Sequence, residues 1–278
     1  MENHIGFTVV TPNYNMANYL EETIQSVIEN LGINDEYFII DGGSSDNSVE
    51  IIKKYEDKIT GWISEPDNGY ADALRKGFEM SSAPLMCWIN SGDVFLRGTL
   101  DLVRRQFNNT SPDLLFGDDY YIDENSHILQ HSSGYVKSLK RMMLYGGWTP
   151  LQDACYWRRS LYDAVDGINA GIQHAADYDL FLKMSLHGEC EYFPAVLSAF
   201  RRHGNQKSIS GQSSYSAERA KIQLRESNTS GISTSYLHLF YKFICFLRAR
   251  FAFLNKKKTD KIGFLINEVE ACLLASND

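Results

Sequence analysis

The chain has 278 residues, 44% of them hydrophobic, enough apolar material for one large α/β domain with a smaller appendage. Its formal net charge of −8 excludes nucleic acid as a main partner, because a phosphate backbone needs a basic face. Aromatic residues make up 13% of the chain, a supply that suits a solid core and ring faces for a sugar-binding cleft.

In chain order, Phe7–Thr11 is a short apolar run fit for a buried parallel strand. A helix follows from about Tyr19 to Asn30, with Leu20, Ile24, Val27 and Ile28 on one face. Tyr37–Ile40 reads as a second strand, ending at Asp41-Gly42-Gly43-Ser44-Ser45-Asp46, where Ser45 or Asp46 can cap the next helix. Gly61–Ser64 gives a third strand. After the Pro66-Asp67-Asn68-Gly69 turn come a helix over roughly Ala71–Met80 and a fourth strand at Leu85–Ile89. This alternation predicts a right-handed, doubly wound sheet flanked by helices. Beyond it, Asp113–Phe116 reads as a strand followed by a turn at Gly117-Asp118-Asp119. Gln152–Trp157 is another apolar run, Asp177–Leu186 a helix and Ala195–Arg202 a final strand. A polar, Ser-rich linker at about Ser208–Ser216 leads to a C-terminal helical region.

In such sheets ligands bind beyond the carboxyl ends of the strands. The loops there are Pro12–Asn15, Asp41–Asp46, Glu65–Asn68 and Asn90–Asp93; all four are polar and three carry carboxylates. Asp93 is a hard oxygen ligand suited to Mg²⁺ or Mn²⁺, or a turn residue before the helix near Leu100. Asp41 is a ligand contact or an Asx-turn. Asp177 is a reactive carboxylate or an N-cap, and His203 a metal ligand or a plain loop histidine. Gly117–Tyr121 and Gly146–Gln152 mix aromatic and hydrogen-bonding groups, and Asp118, Trp148 and Gln152 are the favoured sugar contacts there.

Taken together, these segments resemble glycosyltransferase family 2, whose fold is GT-A. Phe7–Asn15 is similar to the family's opening strand and nucleotide loop, and Ile39–Asp46 to the strand whose terminal aspartate contacts the nucleoside. Ser64–Gly69 with Asp72-Ala73-Leu74 and Lys76-Gly77 resembles the base and diphosphate segment. Asn90–Asp93 stands where the family has its DxD-like motif, Asp177-Tyr178-Asp179-Leu180 at its later acidic motif, and His203 at a further metal ligand. The resemblance covers roughly residues 5–205. It implies a Rossmann-like mixed sheet, with 1–210 as catalytic domain (1–98 nucleotide-sugar half, 99–210 acceptor half) and 211–278 as a helical appendage. It also implies Asp177 as general base, Asp93 and His203 on Mn²⁺ or Mg²⁺, and Thr11, Pro12, Asn13, Asn15, Asp41, Asp67, Asp72, Lys76, Asn90 and Ser91 around the donor. The chain departs from the family at Gly92, where many relatives carry an aspartate, at Ala176, which replaces a glutamate, and at Arg75, which replaces an asparagine.

The expected reaction is inverting transfer from a nucleotide sugar, UDP preferred, to a saccharide or polyprenyl-linked acceptor in surface-polysaccharide assembly. The competing readings are an idle sugar-binding module of the same fold and a sugar nucleotidyltransferase. Against the latter, Thr11–Leu20 has no basic residue for a phosphate loop. The stretch 236–258 is apolar but carries Lys242, Arg248 and Arg250 and ends on three lysines. Those charges speak against a spanning helix; they fit an interfacial membrane helix or a helix packed on the domain or in a homodimer. Five cysteines without CxxC spacing and no secretory pattern at the start lead to the expectation of a cytoplasmic protein, at the inner face of the membrane if the tail binds lipid.

Overall fold

The computed structural model describes residues 5–204 and 212–229. The first half alternates as expected: β1 (Phe7–Asn13), α1 (Ala17–Ile28), β2 (Glu36–Asp41), α2 (Ser48–Lys53), β3 (Gly61–Ser64), α3 (Tyr70–Glu79) and β4 (Leu85–Trp88). Then come β5 (Val94–Phe95), α4 (Thr99–Thr110), β6 (Leu114–Ile122), β7 (Ile128–Ser132), α5 (Leu139–Gly146), a 3-10 turn at Gln152–Ala154, β8 (Cys155–Arg158), α6 (Arg159–Ala164), α7 (Ala176–His187) and β9 (Cys190–Arg201). The last described helix is α8 (Gln212–Thr229). All nine strands form one sheet in the order β3-β2-β1-β4-β8-β6-β9-β5, with β7 on β6. β1 to β4 are mutually parallel. β8 runs antiparallel to both β4 and β6, and β9 is parallel to β6. The ends of β1, β2, β3, β4, β6 and β9 therefore leave the sheet at one edge.

The sheet is mixed, as the resemblance implies. The strands β1, β2 and β4 are buried along almost their whole length, as parallel strands covered on both faces must be. The centre is aromatic: Phe181 of α7 stacks on Trp88 of β4 with centroids 5.4 Å apart, and Trp157 meets both edge-on. These contacts bolt α7, whose first turn carries Asp177, onto the sheet.

Three expectations need correction. The segment Gly117–Asp119 is not a turn but the middle of β6, where Gly117 lies against Leu197 of β9 with no room for a Cβ. The residues 212–216, read as linker, belong to α8. The helix after Asp46 is capped at Asn47 without a side-chain bond, although the Asp46 carboxylate accepts Ser48 N–H (3.0 Å) and also Ala17 N–H at the start of α1 (2.9 Å). The tail at 236–258 lies outside the described residues. Among the described residues no helix is long and apolar enough to cross a membrane.

Gly77 shows how closely α3 lies on the sheet, since a Cβ there would sit 2.5 Å from Val10 Cγ1 and 3.1 Å from Ile40 Cγ1. Gly77→Ala is expected to destabilise by about 1–3 kcal/mol through overpacking, although alanine favours helix by about 1 kcal/mol. The urea midpoint measures which effect wins.

Candidate active site

The loops at the common edge are tied to one another by side chains. Asp41, at the end of β2, is wholly buried and accepts from Asn13 Nδ2 (2.6 Å), Ser44 N–H (2.9 Å) and Oγ, and Ser64 Oγ (2.6 Å). Burial alone would raise its pKa; the bonds from Ser44, Ser64 and Asn13 outweigh that and hold it below the ordinary carboxylate value. Asp41 is thus an ionised anchor for the loop. Asn13 Oδ1, buried beside it, has no partner among the described residues. Asn15, at φ 53°, ties the same loop by accepting Ser45 N–H (2.8 Å) and giving its own N–H to Ser44 Oγ (2.8 Å). The Thr11 hydroxyl is spent in the core on Tyr37 (3.0 Å), so that residue can offer a ligand only its backbone.

Asp67 folds its own turn by accepting Gly69 N–H (2.8 Å). Asp72 is buried on α3 and pairs with Arg75 (2.8 Å), which holds its pKa low. Lys76 is taken by Glu65 (2.7 Å) and lies 3.7 Å from Asp72. The basic groups of α3 are therefore already neutralised within the protein.

Loop 90–93 is fixed just as firmly. Ser91 Oγ donates to Pro12 O (3.0 Å), and Asn90 Nδ2 to Gln152 Oε1 (2.6 Å), while Gln152 Nε2 donates to Trp88 O (3.1 Å). Gln152 thus braces the loop instead of standing free on the acceptor side. Asp93 is 3% exposed and its Oδ1 accepts Arg201 N–H (2.9 Å). The Arg201 side chain, itself buried, donates to Gly92 O (2.7 Å) and Asp123 O (2.9 Å) and pairs with Glu22 (2.6 Å). His203 follows at the end of β9, its ring 5.4 Å from that of Tyr19. Burial draws its pKa below the ordinary histidine value.

These residues do not fit a preformed metal centre. Among the described residues no group of three His, Cys, Asp or Glu side chains is placed to hold an ion. Gly92 has no side chain, and Asp93 turns inward to β9.

Two carboxylates missed in the sequence pattern lie behind Asp93. Asp153 is buried and accepts Ser198 Oγ (2.7 Å); burial pushes its pKa up to about 6. Asp119 is wholly buried, neither oxygen has a partner among the described residues, and burial together with Asp153 pushes it up to about 9. Burial and Asp153 also raise Asp93 well above the ordinary value. The three come from loop 90–93, β6 and the 3-10 turn, so only the sheet order brings them together.

Asp177 stands in the first turn of α7. Burial pushes its carboxyl up to about 6. Its Oδ1 has no partner among the described residues, and Tyr215 Oη lies 3.5 Å from Oδ2. Tyr70, which directly follows the 66–69 turn, accepts Ala176 N–H (3.0 Å) and Asp177 N–H (3.2 Å). The 66–69 turn and Asp177 are thereby linked through one hydroxyl. Asp118 sits apart on β6, accepting from Gly134 N–H and Tyr192 Oη (both 2.8 Å), with His131 Nε2 3.0 Å away. Trp148 is partly buried against the core.

The family profile described as Glycosyl transferase family 2 matches residues 8–166. A chondroitin synthase of Pasteurella multocida is 22% identical over 208 residues, 73% of this chain and 21% of that protein; the chain spans about a fifth of that relative's length. The structure of S. aureus TarS 1–349 with UDP-GlcNAc aligns at a TM-score of 0.61 and 16% identity, over 73% of this chain and 60% of that one. A Pyrobaculum calidifontis mannosyltransferase, in complex with GDP-Man and Mn²⁺, aligns at 0.60 and 15% identity, over 98% of this chain and 79% of the other. The expected GT-A-like fold is thereby shown.

The acid trio has a consequence for stability. The folded-state pKa of Asp119, about 9, lies above its unfolded value near 3.9. Its contribution is therefore complete below about pH 4 and lost as pH rises through about 9. The wild type should lose thermal stability between about pH 5 and about pH 9, and Asp119→Asn should flatten that slope. Parallel slopes in the two proteins would remove the buried-acid assignment.

Proposed function

The chain belongs to glycosyl transferase family 2, and on that premise we propose that it transfers a sugar from a nucleoside-diphosphate donor to an acceptor hydroxyl, with inversion at the anomeric carbon. The observation that carries this reading is Asp177: a partly buried residue whose carboxyl has a pKa of about 6 and one unpartnered oxygen, its backbone tied through Tyr70 to the end of the 66–69 turn. A base with that pKa is largely ionised at neutral pH yet basic enough to accept a hydroxyl proton.

In the proposed reaction the acceptor oxygen attacks the anomeric carbon as its proton passes to the Asp177 carboxylate. The new C–O bond forms while the bond from that carbon to the diphosphate oxygen breaks, and the electron pair leaves on the diphosphate. The edge loops, around Asn13, Asn15, Asp41 and Asp67, would hold the nucleoside. Asn90 and Ser91 would line the diphosphate through their backbone, since both side chains are engaged within the protein. A uracil nucleotide remains the preferred donor, in line with the UDP-GlcNAc in the TarS complex. Mn²⁺ or Mg²⁺ enters this reading as a companion of the diphosphate, as Mn²⁺ accompanies GDP-Man in the Pyrobaculum complex. Such an ion would draw most of its ligands from phosphate and water; Asp93 and His203 are the side chains the family resemblance assigns to it. A saccharide or lipid-linked acceptor, a role in surface polysaccharide and a tail at the inner membrane face belong to the same proposal.

Asp177→Asn should lower turnover by about 10²–10⁴-fold while leaving donor binding intact. Wild-type turnover should rise with pH through about 6, the region where Asp177 ionises. A fully active Asn variant would remove the base from the mechanism. Binding is tested by thermal shift with UDP, GDP, UDP-GlcNAc and GDP-mannose, with and without Mn²⁺. A nucleotide at 100 times its Kd should add about 2.7 kcal/mol. If no nucleotide raises Tm, the donor reading fails; if Asp93→Ala leaves the Mn²⁺ titration unchanged, Asp93 has no part in ion binding.

A further inference from the structure

Helix α7 begins without a cap of its own. Its N-cap is Ala175 and its first residue Ala176, and no side-chain capping bond is made from within the helix. The first N–H groups of a helix have no intrahelical acceptors, and a buried start left unsatisfied is costly. Here the acceptors come from two other elements. The Glu218 carboxylate of α8 accepts Ala175 N–H at the N-cap (2.9 Å) and, in the turn just ahead of the helix, His174 N–H (2.8 Å) and Gln173 N–H (3.4 Å). Tyr70 Oη takes the next two, Ala176 and Asp177.

We propose that Glu218 is a positioning residue for the base, capping α7 from outside and so aiming Asp177, with Tyr70 as its counterpart on the donor side. The inference rests on Asp177 being the base and adds what holds it in place. A carboxylate belongs at the positive end of a helix. Burial would raise the Glu218 pKa, but the backbone donors Ala175, His174 and Gln173 hold it below the ordinary glutamate value, so it is ionised when Asp177 works. The same helix brings Tyr215 to 3.5 Å from Asp177 Oδ2.

Helix α8 is itself held by specific bonds. Arg219 donates to Gly147 O (2.8 Å), Gln223 to Met143 O (2.9 Å), and Arg225 pairs with Asp179 one turn along from the start of α7. These contacts leave α8 little freedom to slide, so the Glu218 carboxylate sits at a fixed point above the first turn of α7. The catalytic unit would then extend past residue 210 to include α8, and docking of this helix would set the direction of the base.

The test uses the full chain. Amide exchange at residues 173–177 is followed by mass spectrometry, and the Asp177 carboxyl titration by carbon NMR, the resonance being identified by its loss in Asp177→Asn. Glu218→Ala should speed exchange at 173–177 about fivefold, the shift expected for a lost N-cap, and move the Asp177 pKa down from about 6 as water reaches the carboxyl. Glu218→Gln, which keeps an acceptor oxygen, should restore much of both. Tyr70→Phe should speed exchange at 176 and 177 only, and serves if Glu218→Ala does not fold. Unchanged exchange and titration in Glu218→Ala, or in Tyr70→Phe where that variant stands in for it, would overturn the inference and leave the base reading standing. Full turnover in Asp177→Asn would overturn the base reading whatever Glu218 does.

Discussion

A guanidinium can be buried only if nearly all of its donors are met, because an unpaired charge in the interior costs several kcal/mol. Arg201 is 1% exposed, and its demands organise the edge of the sheet. Its side chain reaches Gly92 O in the loop after β4, Asp123 O and Ser126 Oγ after β6, and Glu22 on α1, while its guanidinium lies over the Tyr19 ring. Its backbone N–H takes Asp93 Oδ1. One side chain thus joins the parallel half of the sheet to the half containing β6 and β9. Loop 90–93 is consequently rigid, and a rigid loop of turned-in side chains presents mostly backbone to whatever binds there.

Against that frame the carboxylates of the edge divide by environment. Asp41 gains four hydrogen bonds and is held ionised despite its burial. Asp177 is partly buried with an oxygen left over, and burial wins, pushing its pKa up to about 6. Asp93, Asp119 and Asp153 are buried close enough to repel one another and are all pushed up. Identical side chains thus become an anchor, a base candidate and buried acids. The balance between burial and the donors each one meets decides which.

That division also explains what the sequence could reveal. Strands β1 to β4 were legible because each is a short apolar run, and their polar loops fell in order between them. The α7 start was legible because a carboxylate ahead of an apolar helical pattern is a local signal, whereas the role of Asp177 came only from the family's later acidic motif. The Gly117–Asp119 segment misled because glycine and two aspartates look like a turn, whereas the strand needs Gly117 for its close approach to Leu197. The two-residue β5 was too short to leave a pattern. Asp119 looked like a turn residue and Asp153 like one polar residue in an apolar run, because their meeting depends on β6 and β8 being neighbours. Glu218 carried no signal either, being one polar residue in a polar helix forty residues beyond the amides it caps.

The helix start at Ala175-Ala176 ties these threads together. Serine, threonine, asparagine or aspartate at the N-cap would have satisfied the first amides locally, and α7 would then need nothing from outside. With alanines there, the acceptors must come from Tyr70, beside the donor-side turn, and from Glu218, on a helix beyond residue 210. The orientation of Asp177 thus becomes a property of the assembled protein. A shift of the 66–69 turn or of α8 would, on the proposed mechanism, pass to the base through hydrogen bonds of about 3 Å. On the proposed mechanism, a base aimed only when both neighbours are seated is also shielded from water until then, which is the condition a sugar-transfer site has to meet.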